Sequence, residues 1–286
     1  MRYLALAAVL IVSLGLVSCR STTKEESTKA ADNRVHVDAY INVTSGCQKP
    51  TEDLLNRLAA QYPDRIALTI TDFGSDAGFQ KWQAAGLKCM AIRFDGSTAV
   101  VFDAPYGAGT AVFQQPPGMG PWSLDDLEHA MASAAVGKLR PATDAEVEAA
   151  NTPRKFAVKF AAQQTKDLSS GKTAFELTAN GKPVAQFTEK DGDTSPHDRA
   201  VKAAKALNDW VGNEVVVSDL RVEETAPGRM TVIAAGTPVM AVSDKDTAAP
   251  GGDEPKKLAS KWAAALKGAL LQSAANKPSD KKQETK

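Results

Sequence analysis

The chain has 286 residues, of which 43% are hydrophobic and 24% are charged, and its 34 Lys and Arg residues balance 34 Asp and Glu residues. A net charge of zero argues against a dedicated nucleic-acid-binding protein, which needs a basic surface. At roughly 100–200 residues per domain, this length predicts two domains. Patterns typical of nucleotide-binding loops, zinc proteases and serine hydrolases are missing from the sequence, so we predict no cofactor and no metal.

The first 18 residues have the layout of an export signal. Arg2 precedes an apolar run over residues 3–17, which is shorter than the roughly 20 residues of a spanning helix. The run ends in "LVSC", which resembles the bacterial lipobox. This resemblance implies cleavage before Cys19 and lipid attachment to its sulfur, and hence a lipoprotein anchored in the cell envelope and facing the periplasm. Because Arg20 rather than an aspartate follows Cys19, the outer membrane is favoured.

Three further segments have no apolar period and separate the predicted domains. Residues 19–34 are polar and charged, which predicts a flexible tether. Residues 137–152 contain Gly and Pro and are interpreted as a linker. Residues 276–286 form a polar, lysine-rich tail.

The first domain, residues 35–136, alternates between strand and helix patterns. Apolar residues alternate in "VHVDAYINV" and again in "RIALTITDF", whereas "TEDLLNRLAAQY" has helical spacing. A second helix ends at Gly86, and "CMAIRF" and "TAVVFD" are predicted to pair across a short turn. One more strand and a helix capped by Ser123 complete the order β-α-β-α-β-β-α, with one further strand allowed, and Trp122 is expected to pack beneath the last helix.

This order, with Cys47 where the first strand passes into the first helix, resembles the thioredoxin-like fold. The family motif at that point is C-x-x-C, whereas the sequence here is "CQKP" and Pro50 replaces the second cysteine. Dithiol exchange within one motif is therefore not implied. The family also has a proline loop packed against the active sulfur, and the corresponding loop here, "AGLKCMAI", contains Cys89.

The resemblance implies that Cys47 and Cys89 lie close together and can form a disulfide. An even number of cysteines remaining in an exported protein also favours a disulfide. Three roles are open: a mainly structural disulfide, a redox-active pair, or two free thiols or a metal site. Metal is the least favoured role, because His36, His129 and His197 have no ligand spacing to either cysteine.

The second domain, residues 153–275, has the pattern of a small α+β domain. Two strands flank an Asn-Gly turn, and a helix follows with Ser195 as its cap and Pro196 in its first turn. Three short strands and a last amphipathic helix through "KKLASKWAAALKGALLQ" complete the predicted order ββ-α-βββ-α.

Three short motifs in this domain resemble the extracytoplasmic segment that precedes some bacterial mechanosensitive channels. They are S-P-x-x-R-A at a helix start, G-x-P-V-x-x-V followed by acidic residues, and L-A-x-x-W in the last helix. The resemblance implies an envelope module for sensing or binding. We expect Arg199 and Asp244 or Asp246 to form stabilising pairs rather than a site.

The sequence as a whole predicts an α/β thioredoxin-like domain followed by a small α+β domain, held at a membrane through lipid on Cys19. The expected function is binding or scaffolding, with the disulfide mainly structural and envelope proteins as candidate partners. The alternative is a thiol-disulfide oxidoreductase or redox sensor that uses Cys47 as the nucleophile and Cys89 as the resolving thiol.

Overall fold

The computed structural model describes residues 32–117, 119–167, 171, 173–242, 244–247 and 254–275. The predicted signal peptide, Cys19, most of the tether and the tail lie outside these residues. Within them the chain forms a mixed α/β structure of six α-helices and twelve strands, arranged in several small sheets. No helix in these ranges is both long and apolar enough to cross a membrane.

The N-terminal lobe, residues 35–135, contains the predicted alternation of strands and helices, including the further strand. Its elements in chain order are β1 (Val35–Ile41), α1 (Lys49–Gln61), β2 (Ile66–Asp72), α2 (Asp76–Ala84), β3 (Ala91–Phe94), β4 (Ala99–Ala104), β5 (Gly107–Val112) and α3 (Leu124–Ala135).

The first sheet of this lobe has the order β2-β1-β3, with β1 parallel to β2 and antiparallel to β3. The predicted pairing of β3 with β4 is wrong beyond the turn that joins them. Phe94 and Ser97 bond to each other across that turn, but β4 then pairs with β5. Backbone bonds from Ile92 N to Phe113 O (2.9 Å) and from Gln115 N to Met90 O (2.9 Å) place the chain after β5 beside β3.

The core of the N-terminal lobe follows the apolar periods of its elements. Val37, Ala39 and Ile41 of β1 are buried, because alternate side chains of a strand face the same side. They pack with the buried leucines of α1 and with one face of α3. Trp122 is 1% exposed and packs edge-on against Phe113 at 5.0 Å, as predicted.

The predicted linker carries regular structure. It contains the two-residue strand β6 (Arg140–Pro141), which pairs with β4, and the helix α4 (Asp144–Asn151). Thr143 and Glu146 form a capping box at the start of α4, which is the local signal that periodicity alone overlooked. No residue of α4 is buried, in agreement with the lack of an apolar period.

The C-terminal lobe, residues 156–275, contains one strand more than predicted. Its elements are β7 (Phe160–Lys166), β8 (Thr173–Ala179), β9 (Lys182–Phe187), α5 (Pro196–Val211), β10 (Leu220–Ala226), β11 (Arg229–Ala234), β12 (Thr237–Val242) and α6 (Pro255–Ala275). The missed strand, β7, is a polar edge strand of the sheet β7-β8-β9, so it lacks the apolar alternation that reveals a strand.

These eight elements form two successive βββα units with the same internal geometry. The turns after β8 and β11 have matching backbone angles, with φ of 48° and 80° at Asn180 and Gly181 and again at Ala235 and Gly236. The strand before each turn carries a register shift at the corresponding place. "ANGKPVAQF" (179–187) aligns with "AAGTPVMAV" (234–242), so the repeat is visible in the sequence as well.

The helices of the two units also correspond. Five buried positions of α5 match five buried positions of α6 in order; they are Ala200, Ala203, Ala204, Leu207 and Val211 against Ala259, Trp262, Ala263, Leu266 and Leu270. Each helix packs on its own sheet and also contacts the last strand of the other unit, so the two units share one core.

Arg199 connects α5 to the second unit. Its buried guanidinium donates to both carboxylate oxygens of Asp246, at 2.7 and 2.9 Å. It also donates to the carbonyl oxygens of Glu189 (2.7 Å) and Ala241 (2.8 Å). The expected stabilising pair is therefore formed with Asp246 rather than Asp244.

Candidate functional site

Cys47 lies in the exposed turn between β1 and α1, at the junction expected from the sequence. Its Sγ is 3.0 Å from the hydroxyl oxygen of Ser45. The turn is held by the side chain of Gln48, which accepts from Asn42 N at 2.8 Å, and by Asp72, which accepts from Val43 N at 3.3 Å. Those bonds position the loop and leave the thiol at the surface.

Cys89 lies just before β3, half-buried against the core of the N-terminal lobe. Its carbonyl oxygen accepts from Trp82 Nε1 at 3.0 Å, which fixes this segment to α2. Cys47 and Cys89 are both free thiols and are not at disulfide distance. The predicted disulfide is therefore not formed in this structure, because each cysteine is held in its own loop by separate contacts.

The three histidines lie on three different elements. His36 lies exposed on β1, and His197 bonds to Asp198 at 3.2 Å and packs on Phe175. His129 lies on α3. Among the residues that the structure describes, no group of three or more His, Cys, Asp or Glu side chains could hold a metal ion.

A cleft of about 1210 Å³ opens between the two lobes. Ligand pockets typically measure about 300–1,000 Å³, so this cleft is large enough for an extended ligand. One wall is α3 together with the turn between β4 and β5, and the other is α6 together with the turn between β8 and β9.

The cleft combines an apolar floor with charged edges. Its apolar lining residues come from both lobes and are Pro105, Tyr106, Ala132, Ala179, Pro183, Val184, Ala264, Ala265 and Ala269. Five basic side chains line it, namely Arg57, Lys182, Lys256, Lys257 and Lys261, against three acidic ones, namely Asp125, Glu128 and Glu254. Among the described lining residues, basic side chains thus outnumber acidic ones, although the whole chain is neutral.

A buried ion pair beside the cleft joins the lobes. Lys267 of α6 lies 3.2 Å from Oδ1 of Asp126 at the start of α3, and the two side chains are only 7% and 8% exposed. The ammonium group also lies 5.2 Å from the ring centre of Tyr106. Nearby, Ser260 donates to Asp125 at 2.8 Å, so α6 contacts the first turn of α3 twice.

Asp126 is saturated with hydrogen-bond donors. Its Oδ2 accepts from the backbone N (2.8 Å) and hydroxyl (2.7 Å) of Ser123, which forms the capping box of α3. Its Oδ1 accepts from Lys267 (3.2 Å) and from the hydroxyl of Tyr106 (3.2 Å). Burial alone would raise the pKa of Asp126, but the charge of Lys267 and the bonds from Ser123 outweigh it and hold the pKa below its ordinary value.

The pKa values of the neighbouring groups, Asp125 and Tyr106, shift in the opposite direction. Burial raises the pKa of Asp125, against the hydrogen bond from Ser260 and the charge of Lys256. Burial also raises the pKa of Tyr106 far above its ordinary value, and the charge of Asp126 adds to this. The phenol therefore stays protonated and serves as a donor to Asp126.

Sequence reasoning overlooked this cluster entirely. The signal that could have found it is Lys267, a lysine inside the apolar run "WAAALKGALL", where a buried cation needs a partner. The partner could not have been identified, because Asp126 lies in the other lobe and its capping position already explains an acidic residue.

A family model for a domain of unknown function, DUF8459, matches residues 176–273. That range runs from within β8 into α6 and so includes most of both βββα units. Comparisons with curated proteins and with solved structures gave no significant match.

The Lys267→Met variant should lower the free energy of unfolding by about 3–5 kcal/mol, because the carboxylate of Asp126 then stays buried without its cation. Chemical denaturation would measure the loss. The control is Lys138→Met, which breaks an exposed pair with Asp103 of 2.8 Å and should leave the free energy of unfolding nearly unchanged. Equal effects of the two substitutions would contradict a structural role for the buried pair.

The same pair predicts a pH dependence. Because the folded-state pKa of Asp126 lies below its ordinary value of 3.8, its carboxylate stabilises the fold above pH 3.8. That contribution is lost as the pH falls through the folded-state value. The Asp126→Asn variant should therefore melt at a lower temperature than the wild-type protein, by a difference that is constant above pH 3.8 and shrinks below it. A difference that persists unchanged to pH 2 would argue against this assignment.

Both cysteines should react with iodoacetamide in the unreduced, denatured protein, each gaining one alkyl group by mass spectrometry. In the native protein Cys47 should react faster, since it is exposed and Cys89 is half-buried. The Cys47→Ser, Cys89→Ser double variant should keep the native melting temperature, whereas loss of a disulfide typically costs about 2–5 kcal/mol. Resistance to alkylation without reductant would show that the disulfide forms.

Proposed function

We propose that this chain is a lipid-anchored protein of the bacterial cell envelope that binds a ligand in the cleft between its two lobes. The observation that carries the proposal is the cleft itself, with its apolar floor, its excess of basic side chains and walls supplied by both lobes. A concave, mostly apolar site with a few polar groups is the usual form of a ligand site. The buried Asp126–Lys267 pair supports a preformed cleft, because it fixes α3 against α6.

The proposed N-terminal lobe is thioredoxin-like in fold without thioredoxin activity. Support comes from the sheet order β2-β1-β3, with parallel β1 and β2 joined through α1, and from Cys47 at the end of β1. Within the described residues, Pro50 in the second motif position and the separation of the two free thiols argue against dithiol exchange between Cys47 and Cys89. The lobe is proposed to act as a wall of the cleft.

The proposed C-terminal lobe is an envelope sensing or binding module. The family-model match falls on this lobe and excludes the N-terminal one, which supports a module of its own. The resemblance to the extracytoplasmic segment of mechanosensitive channels rests on the starts of α5 and α6 and on β12, and these elements belong to the two βββα units.

Anchoring depends on Cys19 in this proposal. A Cys19→Ser variant should move from the membrane fraction to the soluble fraction or remain as the unprocessed precursor, because no thiol is left to carry lipid. Fractionation of cells that express the full chain, with labelled palmitate, would measure this. Wild-type protein that carries no label and fractionates as soluble would refute the anchor.

Occupancy of the cleft is tested by a thiol placed in its wall. In a Cys47→Ser, Cys89→Ser background, the Ala264→Cys variant should react with a small maleimide much more slowly in opened cells than after purification. Lys205→Cys, at the equivalent exposed position of α5, should react equally in both. Equal reactivity of both variants in cells and in purified form would contradict binding in the cleft.

A further inference from the structure

The two βββα units differ most along the helix face that lines the cleft. In α5 these positions carry the exposed Lys205 and Asp209 and the half-buried Trp210, which packs against the core. The equivalent positions of α6 are Ala264, Gly268 and Ala269, which line the cleft. Since the buried faces of the two helices correspond in order, the core does not require small residues at Ala264 and Gly268. They make room for the other lobe and for the cleft.

The lining of α6 is also polarised along its length. Lys256, Lys257 and Lys261 lie in its first two turns, followed by Ala264, Ala265, Gly268 and Ala269. At 1.5 Å per residue, the lining from Lys257 to Gln272 is about 22 Å long. At the far end Lys182 donates to Gln272 at 3.5 Å.

The facing lobe also places its charged side chains, Arg57, Asp125 and Glu128, at the end of the cleft where α6 begins. Glu128 lies 3.9 Å from Lys256 and 3.6 Å from Arg57, so the charged side chains of α3 meet the first turns of α6. Tyr106 lies beside Gly268. A larger residue at position 268 would place its Cβ 3.6 Å from the Cβ of Tyr106. The cleft therefore passes from a basic end to an apolar stretch.

We propose that the occupant is a single anionic amphiphile, with its carboxylate or phosphate at Lys256, Lys257 and Lys261 and its hydrocarbon chain along the alanines of α6. This rests on the proposed function and specifies the ligand class. A hydrocarbon chain needs about 15 Å, half the roughly 30 Å core of a bilayer, which fits the about 22 Å of lining. At the head-group end of the cleft, four basic side chains against three acidic ones favour an anionic over a cationic head. The basic ones are Arg57, Lys256, Lys257 and Lys261, and the acidic ones are Asp125, Glu128 and Glu254.

A photoreactive hexadecanoate with a diazirine in its chain tests the proposal on the full-length protein in its own membranes. Irradiation should attach the probe to the α6 peptide, as identified by mass spectrometry. Ala264→Trp should reduce attachment at least fivefold, because the indole fills the apolar stretch, whereas Lys205→Trp on α5 should not. Unlabelled hexadecanoate should compete on the wild-type protein, a measurement that needs no variant.

A second arm tests the head group. The Lys257→Gln, Lys261→Gln variant should reduce attachment of the hexadecanoate probe at least fivefold but that of the matching hexadecanol probe less than twofold. The inference would be overturned if neither Ala264→Trp nor the unlabelled competitor changed the attachment of the probe. It would also be overturned if the Lys257→Gln, Lys261→Gln variant lost attachment of both probes equally. Protection of the Ala264→Cys thiol in cells without any attachment would overturn it too and point to another ligand class, such as a peptide, while the proposed cleft function would stand.

Discussion

The contact between Asp126 and Lys267 determines how the two lobes of this protein meet. A carboxylate and an ammonium that are both more than nine-tenths buried are costly apart, because each would remain desolvated without compensation. Together, and with Ser123 and Tyr106 supplying the remaining donors, the carboxylate is fully bonded. Directional bonds of this kind select one approach of α6 to α3, which apolar contact alone would not. The cleft beside the pair depends on that approach for its width.

The duplicated βββα unit explains why α6 looks unlike α5. A helix that buries one stripe has an opposite face that is polar, and α5 follows this rule with Lys205 and Asp209 exposed and paired at 2.6 Å. In α6 a second face is covered by the N-terminal lobe and lines the cleft, and Ala264 and Gly268 stand at the positions of those exposed charges. The two helices share the same pattern of buried positions, and their difference lies on the outer side, where α6 meets the N-terminal lobe.

Local patterns in the sequence predicted most of the helices and strands. They missed features that have no local apolar period or that depend on distant parts of the chain. Apolar alternation placed β1 and β2, and the caps at Ser123 and Ser195 placed the starts of α3 and α5. β7 was missed because a polar edge strand has no period, and the repeat was missed although "GKPV" and "GTPV" mark it. The Asp126–Lys267 site and the separation of the cysteines depend on distant chain segments. The prediction of a Cys47–Cys89 disulfide assumed that strand order brings the two loops to bonding distance. Strand order can bring two loops to the same end of a sheet, but it does not fix the distance between their side chains.

Displaced pKa values often mark catalytic groups, and here the geometry assigns them another role. The groups with displaced pKa values beside the cleft are Tyr106, Asp125 and Asp126, and each is bonded to another protein side chain. Asp126 accepts from Tyr106 and Lys267, and Asp125 accepts from Ser260. Lone pairs and protons used in this way hold the lobes together and are not offered to a substrate. The basic side chains at the edge and the apolar residues along the floor are what the cleft presents to a ligand. These two features of the surface are the ones on which the proposed binding role rests.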